Sequence, residues 1–429
     1  MKKELAKIKE YKKTIDNPVY ITTSGRKQPL TAENLGRIDN HVRTIEGQIT
    51  KENEYGAALT AITDLREKGE TDQAFALYQK LTRNYGDLAS RKALRELMLT
   101  ISAKETELVK TIDLSIPTST EARPTIVTSS VVLAAKSGEP VDVLEGEVVN
   151  FLADGSVYGI NAGDGTIAWR QFVGYETDIL PQELNDDLIL VADEHNFELF
   201  AVERLTGKVS WRAEIGESFV KPSLGDKMIV VTTQSGKVIQ LNSANGQVEQ
   251  AIQLPQKTNL GALIGTKDPY IYQTGSYSNL YVISSQDFSC KEVHYIGHAQ
   301  GSIVSAPVAW SGYILVAVNG SGFCNLHVLK PQKNGRELKL VQIMTHITES
   351  PVSSPIQRFN RWMLLTSEDG EIRILQLNPT EESNPVTEFA RERFTAEGGV
   401  KSYVKAEGSN MWVAGNGITR YKILSLIHI

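Results

Sequence analysis

The chain has 429 residues and a formal net charge of −6, from 45 Lys and Arg against 51 Asp and Glu. A chain of this length is expected to form two or three domains with a sizeable core, and its slight acidity disfavours nucleic acid as a partner. The two cysteines, Cys290 and Cys324, form neither a CxxC pair nor a disulfide framework. No apolar run approaches the roughly 18 residues that span a bilayer. The basic start is not followed by an apolar h-region, so no signal peptide is visible.

Residues 1–112 are predicted to form a helical region. One helix is indicated by an apolar stripe with alternating gaps of three and four, and Thr31 is its predicted N-cap; the stripe consists of Leu35, Ile38, Val42, Ile45 and Ile49. Residues 56–84 predict two further helices, with a stop at Gly69 and a cap at Thr71. A third segment, residues 89–112, places Leu94, Leu97, Met98 and Ile101 on one helix face.

The segment 56–84 resembles a tetratricopeptide helical hairpin. The resemblance is carried by the spacing of Gly69, Ala74 and Tyr78. A free-standing solenoid requires about three such repeats, and the chain shows one copy. An ordinary packed hairpin is therefore the favoured interpretation.

The pattern changes at residues 113–124, where Pro, Ser and Thr predict a linker. Residues 125–423 then show short alternating runs of Val, Ile, Leu and Thr between Gly, Asp and Asn turns, which is typical of an all-β domain. The first of these runs, residues 125–135, is the predicted closing partner of the last structural unit in this domain.

The stretch "GSVYGINAGDGTIAWRQFVG" at residues 155–174 is one copy of a repeat. At an offset of 42 residues, Gly165 aligns with Gly207 and Trp169 with Trp211. A third copy keeps its turn glycine at Gly246 but has a glutamine, residue 250, at the tryptophan position. A fourth copy, residues 278–297, loses the glycine turn.

A further strand precedes each copy, which makes seven strand–turn–strand units spaced by 39 to 48 residues. Periods of about 40 to 50 residues with several short strands predict propeller blades. The predicted fold is mainly β, a β-propeller of about 7–8 four-stranded blades behind an all-α hairpin region.

Five residues are singled out as structural repeat positions: Gly165, Trp169, Gly207, Trp211 and Gly246. The tryptophan rings are predicted to fill the seams between blades, each contributing roughly 2–4 kcal/mol. The glycines are predicted to supply the positive φ that a tight turn needs.

The stretches "YGINAGDGTIAW" and "FAVERLTGKVSW" resemble the repeat of the PQQ-like β-propeller superfamily. Its quinoprotein dehydrogenases hold pyrroloquinoline quinone with calcium, an aspartate base and an adjacent cysteine pair, but many members bind no quinone. The non-enzymatic branch includes the propeller lipoprotein of the outer-membrane β-barrel assembly machinery. Similarity to that branch implies a non-catalytic scaffold in the periplasm or cell envelope, which binds protein partners through propeller loops.

The competing hypothesis is an enzyme that binds a quinone or another small ligand in the central channel. Cys290 and Cys324 lie 34 residues apart, so the adjacent cysteine pair of the quinoproteins is absent. No calcium-ligand or base motif maps onto the chain, and we assign no catalytic, cofactor-binding or metal-binding residue and no cofactor. His294 and His298 are interpreted as surface residues, "NGSGFC" (319–324) as a hairpin turn and "ELNDD" (183–187) as a solvated loop.

The last six residues, "LSLIHI" at 424–429, match the translation of a transposase-end sequencing adapter; the alternative is an ordinary apolar strand. If they are adapter sequence, the native protein continues and the last blade lacks its outer strands. A second hypothesis is that Met1 is an internal start on an assembled fragment, which has then lost an N-terminal membrane anchor.

Overall fold

The computed structural model describes residues 2–14, 19–21, 27–29, 32–121, 147–334, 337–359, 362–378, 380–393, 403–407, 410–414 and 417–422. They fall into two compact units, residues 1–101 and 102–429. Thr31 and the strand expected at residues 125–135 lie outside the described residues, as do residues 424–429.

The first unit is helical. Its elements are α1 (Lys2–Thr14), the small hairpin β1 (Val19–Ile21) and β2 (Lys27–Pro29), α2 (Ala32–Lys68), α3 (Thr71–Asn84), a 3-10 turn (Gly86–Ser90) and the start of α4 (Lys92–Leu108). The two helices predicted before Gly69 are one continuous helix, α2. Gly69 ends it with φ of 78°, as predicted, and the N–H of Glu70 donates to Leu65 O at 2.9 Å.

The predicted cap at Thr71 is wrong. Glu70 is the N-cap of α3, without a side-chain cap bond, and Thr71 is a buried first residue of the helix. The core of this unit is formed by fully buried side chains from its helices and its 3-10 turn, namely Ile62, Phe75, Leu88, Leu94, Met98 and Ile101. The predicted stripe on the third helix therefore faces the core, except Leu97, which is only half-buried.

The second unit contains, within the described residues, seven antiparallel sheets that we number blades 1 to 7. Two short strands precede them, β3 (Lys110–Thr111) and β4 (Thr118–Ser119). Blades 1 to 3 consist in turn of β5 (Val148–Ala153), β6 (Ser156–Asn161) and β7 (Ile167–Phe172); β8 (Gln182–Glu183), β9 (Leu188–Asp193), β10 (Glu198–Glu203) and β11 (Val209–Glu214); and β12 (Ser223–Leu224), β13 (Met228–Thr232), β14 (Lys237–Asn242) and β15 (Val248–Gln253).

Blades 4 to 7 continue the same meander. They consist in turn of β16 (Leu263–Ile264), β17 (Tyr270–Thr274), β18 (Asn279–Ser284) and β19 (Cys290–Tyr295); β20 (Val308–Trp310), β21 (Tyr313–Asn319), β22 (Cys324–Asn334) and β23 (Glu337–Thr348); β24 (Gln357–Phe359), β25 (Trp362–Thr366), β26 (Glu371–Leu377) and β27 (Val386–Arg393); and β28 (Tyr403–Glu407), β29 (Asn410–Ala414) and β30 (Ile418–Lys422). The propeller fold predicted from the repeat is confirmed.

Successive blades pack face to face because their strands are apolar on both sides. Alternate residues of a strand point to opposite sheet faces, so a blade with neighbours on both sides needs apolar residues at nearly every position. Strand β10 follows this rule: Leu199 packs in the cluster shared with blade 3, and Phe200 packs in the cluster shared with blade 1.

The segment before the blades adds a fifth strand to two of them. In β3, Lys110 pairs with Gln253 of β15, and in β4, Thr118 pairs with Ala213 of β11. Between them, three apolar side chains pack against blades 2 and 3, namely Ile112, Leu114 and Ile116. The third helix, predicted to reach residue 112, ends at Leu108, and residues 113–119 of the expected linker lie along the outer blade edges.

An antiparallel meander places alternate connections at opposite ends of each blade. We call one end the turn face, formed by residues 162–166, 184–187, 204–208 and 243–247. The other end is the helix face, formed by residues 154–155, 173–181, 254–262 and 275–278, and here the last two turns of α4, residues 102–108, pack against blades 3 and 4.

Candidate functional site

The two repeat tryptophans lie at the seams between successive blades. Trp169 of blade 1 is 7% exposed, and its Nε1–H donates to Arg204 O of blade 2 at 2.8 Å. Trp211 of blade 2 is 2% exposed and donates in the same way to Ser243 O of blade 3 at 3.0 Å. Each indole ring therefore ties its own outer strand to the turn of the next blade.

The repeat glycines on the turn face have two roles. Gly165, Gly207 and Gly246 have φ of 71°, 68° and 71°, a region in which glycine is favoured. A Cβ at Gly207 would lie 2.6 Å from Trp169 Cγ, and one at Gly246 would lie 2.4 Å from Trp211 Cε3. These two glycines also make room for the ring, whereas a Cβ at Gly165 would meet no atom within 4 Å.

The seam between blades 3 and 4 keeps this geometry with other residues. Gln250, at the tryptophan position, donates from Nε2 to Gln286 O at 3.2 Å. Phe288 takes the glycine position with φ of 53°, and its N–H donates to Ser284 O at 3.0 Å. This copy lacks the glycine, as the sequence indicates, but the turn itself is present, with a buried phenylalanine in the left-handed conformation.

The helix face of blades 3 and 4 holds a buried carboxylate. Glu105 of α4 has no exposed surface. Its oxygens accept hydrogen bonds from Gln256 Nε2 at 2.9 and 3.0 Å, from Asn279 Nδ2 at 2.5 Å and from Tyr281 Oη at 2.6 Å. A buried carboxylate is stabilised only when such donors replace water, so these contacts hold the end of α4 on the propeller.

The donors around Glu105 are themselves held by the blades. Gln256 Oε1 accepts the N–H of Tyr277 at 2.9 Å, and Asn279 Oδ1 accepts from Ser102 Oγ at 2.6 Å. Sequence reasoning missed Glu105. The available signal was its position, four residues after Ile101 on the apolar stripe of α4.

The two cysteines and two histidines singled out in the sequence are buried or partly buried. Burial raises the pKa of Cys290 to about 12 and that of Cys324 to about 11, so neither thiol forms a reactive thiolate near neutral pH. His298 is 3% exposed, which contradicts the surface prediction; burial lowers its pKa to about 4, and its Nε2 lies 3.0 Å from Gly275 O. His294 is partly buried, with Nδ1 3.8 Å from Glu292 Oε1.

Two glycine-rich or acidic stretches are connections between strands. Residues 319–324 close the hairpin of β21 and β22, and Asn319 bonds both the N–H and the carbonyl of Val352, at 2.9 and 2.8 Å. Residues 183–187 join β8 to β9, where Asn185 Oδ1 accepts the N–H groups of Asp187 and Leu188. The described residues contain no group of three or more His, Cys, Asp or Glu that could hold a metal ion.

A cavity of about 550 Å³ opens on the turn face between blades 1 and 2. It is lined by Glu147, Val148, Asp186, Asp187 and residues 203–206. A pocket of this volume is within the range of ligand sites.

No helix in the described part of the chain is long and apolar enough to cross a membrane.

Residues 153–358 match the family model described as outer membrane protein assembly factor BamB. This match extends from blade 1 into blade 6 and includes both tryptophan seams. The second unit is a β-propeller, and its residues 153–358 are similar to this family. No curated protein matches the chain.

Among solved structures, the chain is similar to BamB from Moraxella catarrhalis, with 11% identity and a TM-score of 0.46 over 64% of this chain and 81% of that one. It is also similar to the Cps50 (Swd1) β-propeller domain of Myceliophteria thermophila, with 10% identity and a TM-score of 0.44 over 57% and 83%. A third similar structure is Hsv2 from Kluyvelomyces marxianus, with 12% identity and a TM-score of 0.40 over 58% and 83%.

Proposed function

We propose that this protein is a non-catalytic scaffold that binds other proteins at the cell envelope. The observation that carries the proposal is the match of residues 153–358 to the family of an outer membrane protein assembly factor. That family is named for the assembly of outer membrane proteins, and the matched segment contains both tryptophan seams.

The interior chemistry of the propeller supports a structural role for its buried charges. Arg212 donates from Nη1 to Glu198 Oε2 at 2.5 Å, and both side chains are nearly fully buried. Arg373, which is 4% exposed, contacts Glu371 at 2.5 Å and Glu388 at 2.9 Å. Each of these two arginines is paired with a glutamate of its own blade, and the two loop faces are left to recognise partners.

In this proposal the two units bind different partners. The loop faces of the propeller bind one protein partner, and the helical residues 1–101 bind a second partner or a membrane anchor. The test is chemical cross-linking and membrane fractionation of the full chain in the organism that makes it, followed by mass spectrometry. We expect the protein to fractionate with the envelope and to cross-link reproducibly to a defined partner.

Single variants assign the cross-links to a face. Tyr175→Ala changes an exposed residue of the helix face and Leu205→Ala one of the turn face, while Glu392→Ala on the exposed outer strand β27 is the control. Loss of a cross-link in one face variant but not in the control supports the scaffold. A protein confined to the cytosolic fraction without reproducible partners contradicts it. Saturable, calcium-dependent binding of added pyrroloquinoline quinone would favour the enzyme hypothesis instead.

A further inference from the structure

The turns on the turn face can be compared position by position, because the same backbone hydrogen bond recurs in each. The N–H of Ala162 donates to Glu147 O, that of Arg204 to Asp187 O, and that of Ser243 to Lys227 O. Glu147, Asp187 and Lys227 are therefore equivalent residues in blades 1, 2 and 3. The acidic side chain of the first two blades is replaced by a basic one in the third.

The tip of the blade 2 turn is unusual by the same comparison. Leu205 corresponds to Gly163 in blade 1, Ala244 in blade 3 and Gln286 in blade 4. Its side chain is 57% exposed, so it contributes little to the core. Since the same turn forms with a small or polar residue in the other blades, the fold does not require a leucine here.

Leu205 lies at the cavity of about 550 Å³, among carboxylates. Asp186, Asp187 and Glu203 line the same cavity on blade 2, and Glu147 lines it on blade 1. The cation in the lining, Arg204, is already engaged, because its Nη2 lies 3.5 Å from Glu183 Oε1 and its Nε donates to Val148 O at 3.3 Å. The cavity thus combines an exposed apolar side chain with a negative rim.

The charge asymmetry extends beyond the cavity. Residues 147–222, which form blades 1 and 2, contain 14 Asp and Glu against 5 Lys and Arg, whereas residues 223–298, which include blades 3 and 4, contain 5 of each. A concentrated negative field attracts cationic partners and raises their association rate. Apolar surface rimmed by polar groups is typical of protein interaction sites.

We propose that this cavity, bounded by Glu147, Asp187, Glu203 and Leu205, is the docking site for a basic segment of a protein partner that inserts an apolar side chain beside Leu205. The proposal rests on the scaffold function and names its surface and the chemistry of its partner. Lysine or arginine side chains of the segment pair with the carboxylates, and a flanking leucine, isoleucine or valine packs on Leu205.

The test uses the full chain and three fluorescein-labelled twelve-residue peptides, of alternating Lys and Leu, Lys and Ser, or Glu and Leu. Binding is followed by fluorescence anisotropy at 50 and 500 mM NaCl. The triple variant Asp187→Asn, Glu203→Asn, Leu205→Ala copies blade 3 at the last two positions, where the same turn already forms with Asn242 and Ala244.

The control is a double variant of the helix face, Asp154→Asn with Glu176→Gln. It also removes two negative charges, but from exposed positions at the opposite end of the blades. We expect the Lys/Leu peptide to bind at least tenfold more tightly than the other two peptides. Its affinity should fall at least tenfold in the triple variant, less than twofold in the double variant, and markedly at 500 mM NaCl.

Equal binding of the Lys/Leu peptide to the triple variant and the original chain, or no binding at all, would overturn the docking site. The scaffold function fails separately. If the triple variant keeps the cellular cross-links of the original chain, the protein is a scaffold that binds elsewhere; if the original chain has no cross-linked partner, the function itself is wrong. Unchanged circular dichroism and melting temperature of the triple variant show that it is folded.

Discussion

The seam between blades 2 and 3 and the seam between blades 3 and 4 join the same kind of strand to the same kind of turn by different chemistry. At the first, the Trp211 ring covers Gly246, and apolar contact dominates. At the second, Gln250 and Phe288 replace this pair, and at the opposite end of the same two blades the Glu105 cluster adds hydrogen bonds from α4. The comparison shows that blade geometry is conserved along the chain while the source of its stability changes.

The largest expected effect is at the hydrogen-bonded seam. Replacing Glu105 by Ala leaves buried donors on Gln256, Asn279 and Tyr281 without their acceptor. The cost is expected to be about 3–5 kcal/mol, because each uncompensated buried polar group is expensive. Urea unfolding measures it, and Glu107→Ala, an exposed residue on the same helix, is the control and should change stability by less than about 0.5 kcal/mol.

The second largest expected loss of stability is at the tryptophan seam. Trp211→Ala removes a buried ring and the hydrogen bond to Ser243 O, and should lower the free energy of unfolding by about 3–4 kcal/mol. Gln250→Ala at the equivalent position of blade 3 should cost about 1 kcal/mol or less, since it removes one exposed hydrogen bond. Similar losses in both variants would mean that the two seams do not differ as described.

A pH titration tests a third contribution to stability, that of the buried His298. The pKa of His298 is lowered by burial to about 4 in the folded chain, against about 6.5 when unfolded. The unfolded state therefore binds more protons between these values, so the contribution is fully present above pH 6.5 and is lost as the pH falls towards 4, by about 3 kcal/mol.

The measurement for His298 is the midpoint of urea unfolding at pH 7, 6, 5 and 4.5. His298→Asn should flatten this pH dependence, whereas His195→Gln, an exposed histidine of blade 2, should leave it unchanged. A slope that persists in His298→Asn would assign the proton uptake to other groups.

The smallest effects distinguish the glycines of the turn face. Gly207→Ala should lower the free energy of unfolding by about 2–3 kcal/mol, because the new Cβ clashes with the Trp169 ring and the alanine must also adopt a positive φ. Gly165→Ala should lower the free energy of unfolding by about 1 kcal/mol, because its Cβ clashes with no atom and only the positive φ of the alanine is unfavourable. Thermal unfolding of the two variants side by side gives the difference, and equal shifts would show that the ring moves aside freely.

The repeat made the blades predictable from the sequence. The strand that precedes each repeat copy was identified from its apolar residues, and all seven are present, as β5, β9, β13, β17, β21, β25 and β29. The constant offset also aligned Trp169 with Trp211, because equal spacing in the chain reflects equal positions in successive blades. Phe288 escaped prediction because its left-handed turn is imposed by the neighbouring blade and by burial, against local preference.

Contacts between distant parts of the chain could not be predicted in this way. β3 and β4 are two residues each and have no strand pattern of their own. β3 lies at the end of the segment predicted to be helical, residues 89–112, and β4 lies in the predicted linker, residues 113–124. Their conformation is imposed by the edges of β15 and β11. Likewise, nothing local to Glu105 or His298 reveals the donors and carbonyls that surround them, and the cavity beside Leu205 exists only once blades 1 and 2 are adjacent.

The two short edge strands also have a consequence for synthesis on the ribosome. Residues 110–119 emerge first, but the strands with which they pair are made roughly 95 to 140 residues later. Contacts so distant in sequence form slowly, since a long loop must close before they are gained. The nascent chain therefore carries an unpaired extended segment until blades 2 and 3 leave the exit tunnel. During this interval the exposed segment is prone to aggregation, and a chaperone that binds it has its largest effect.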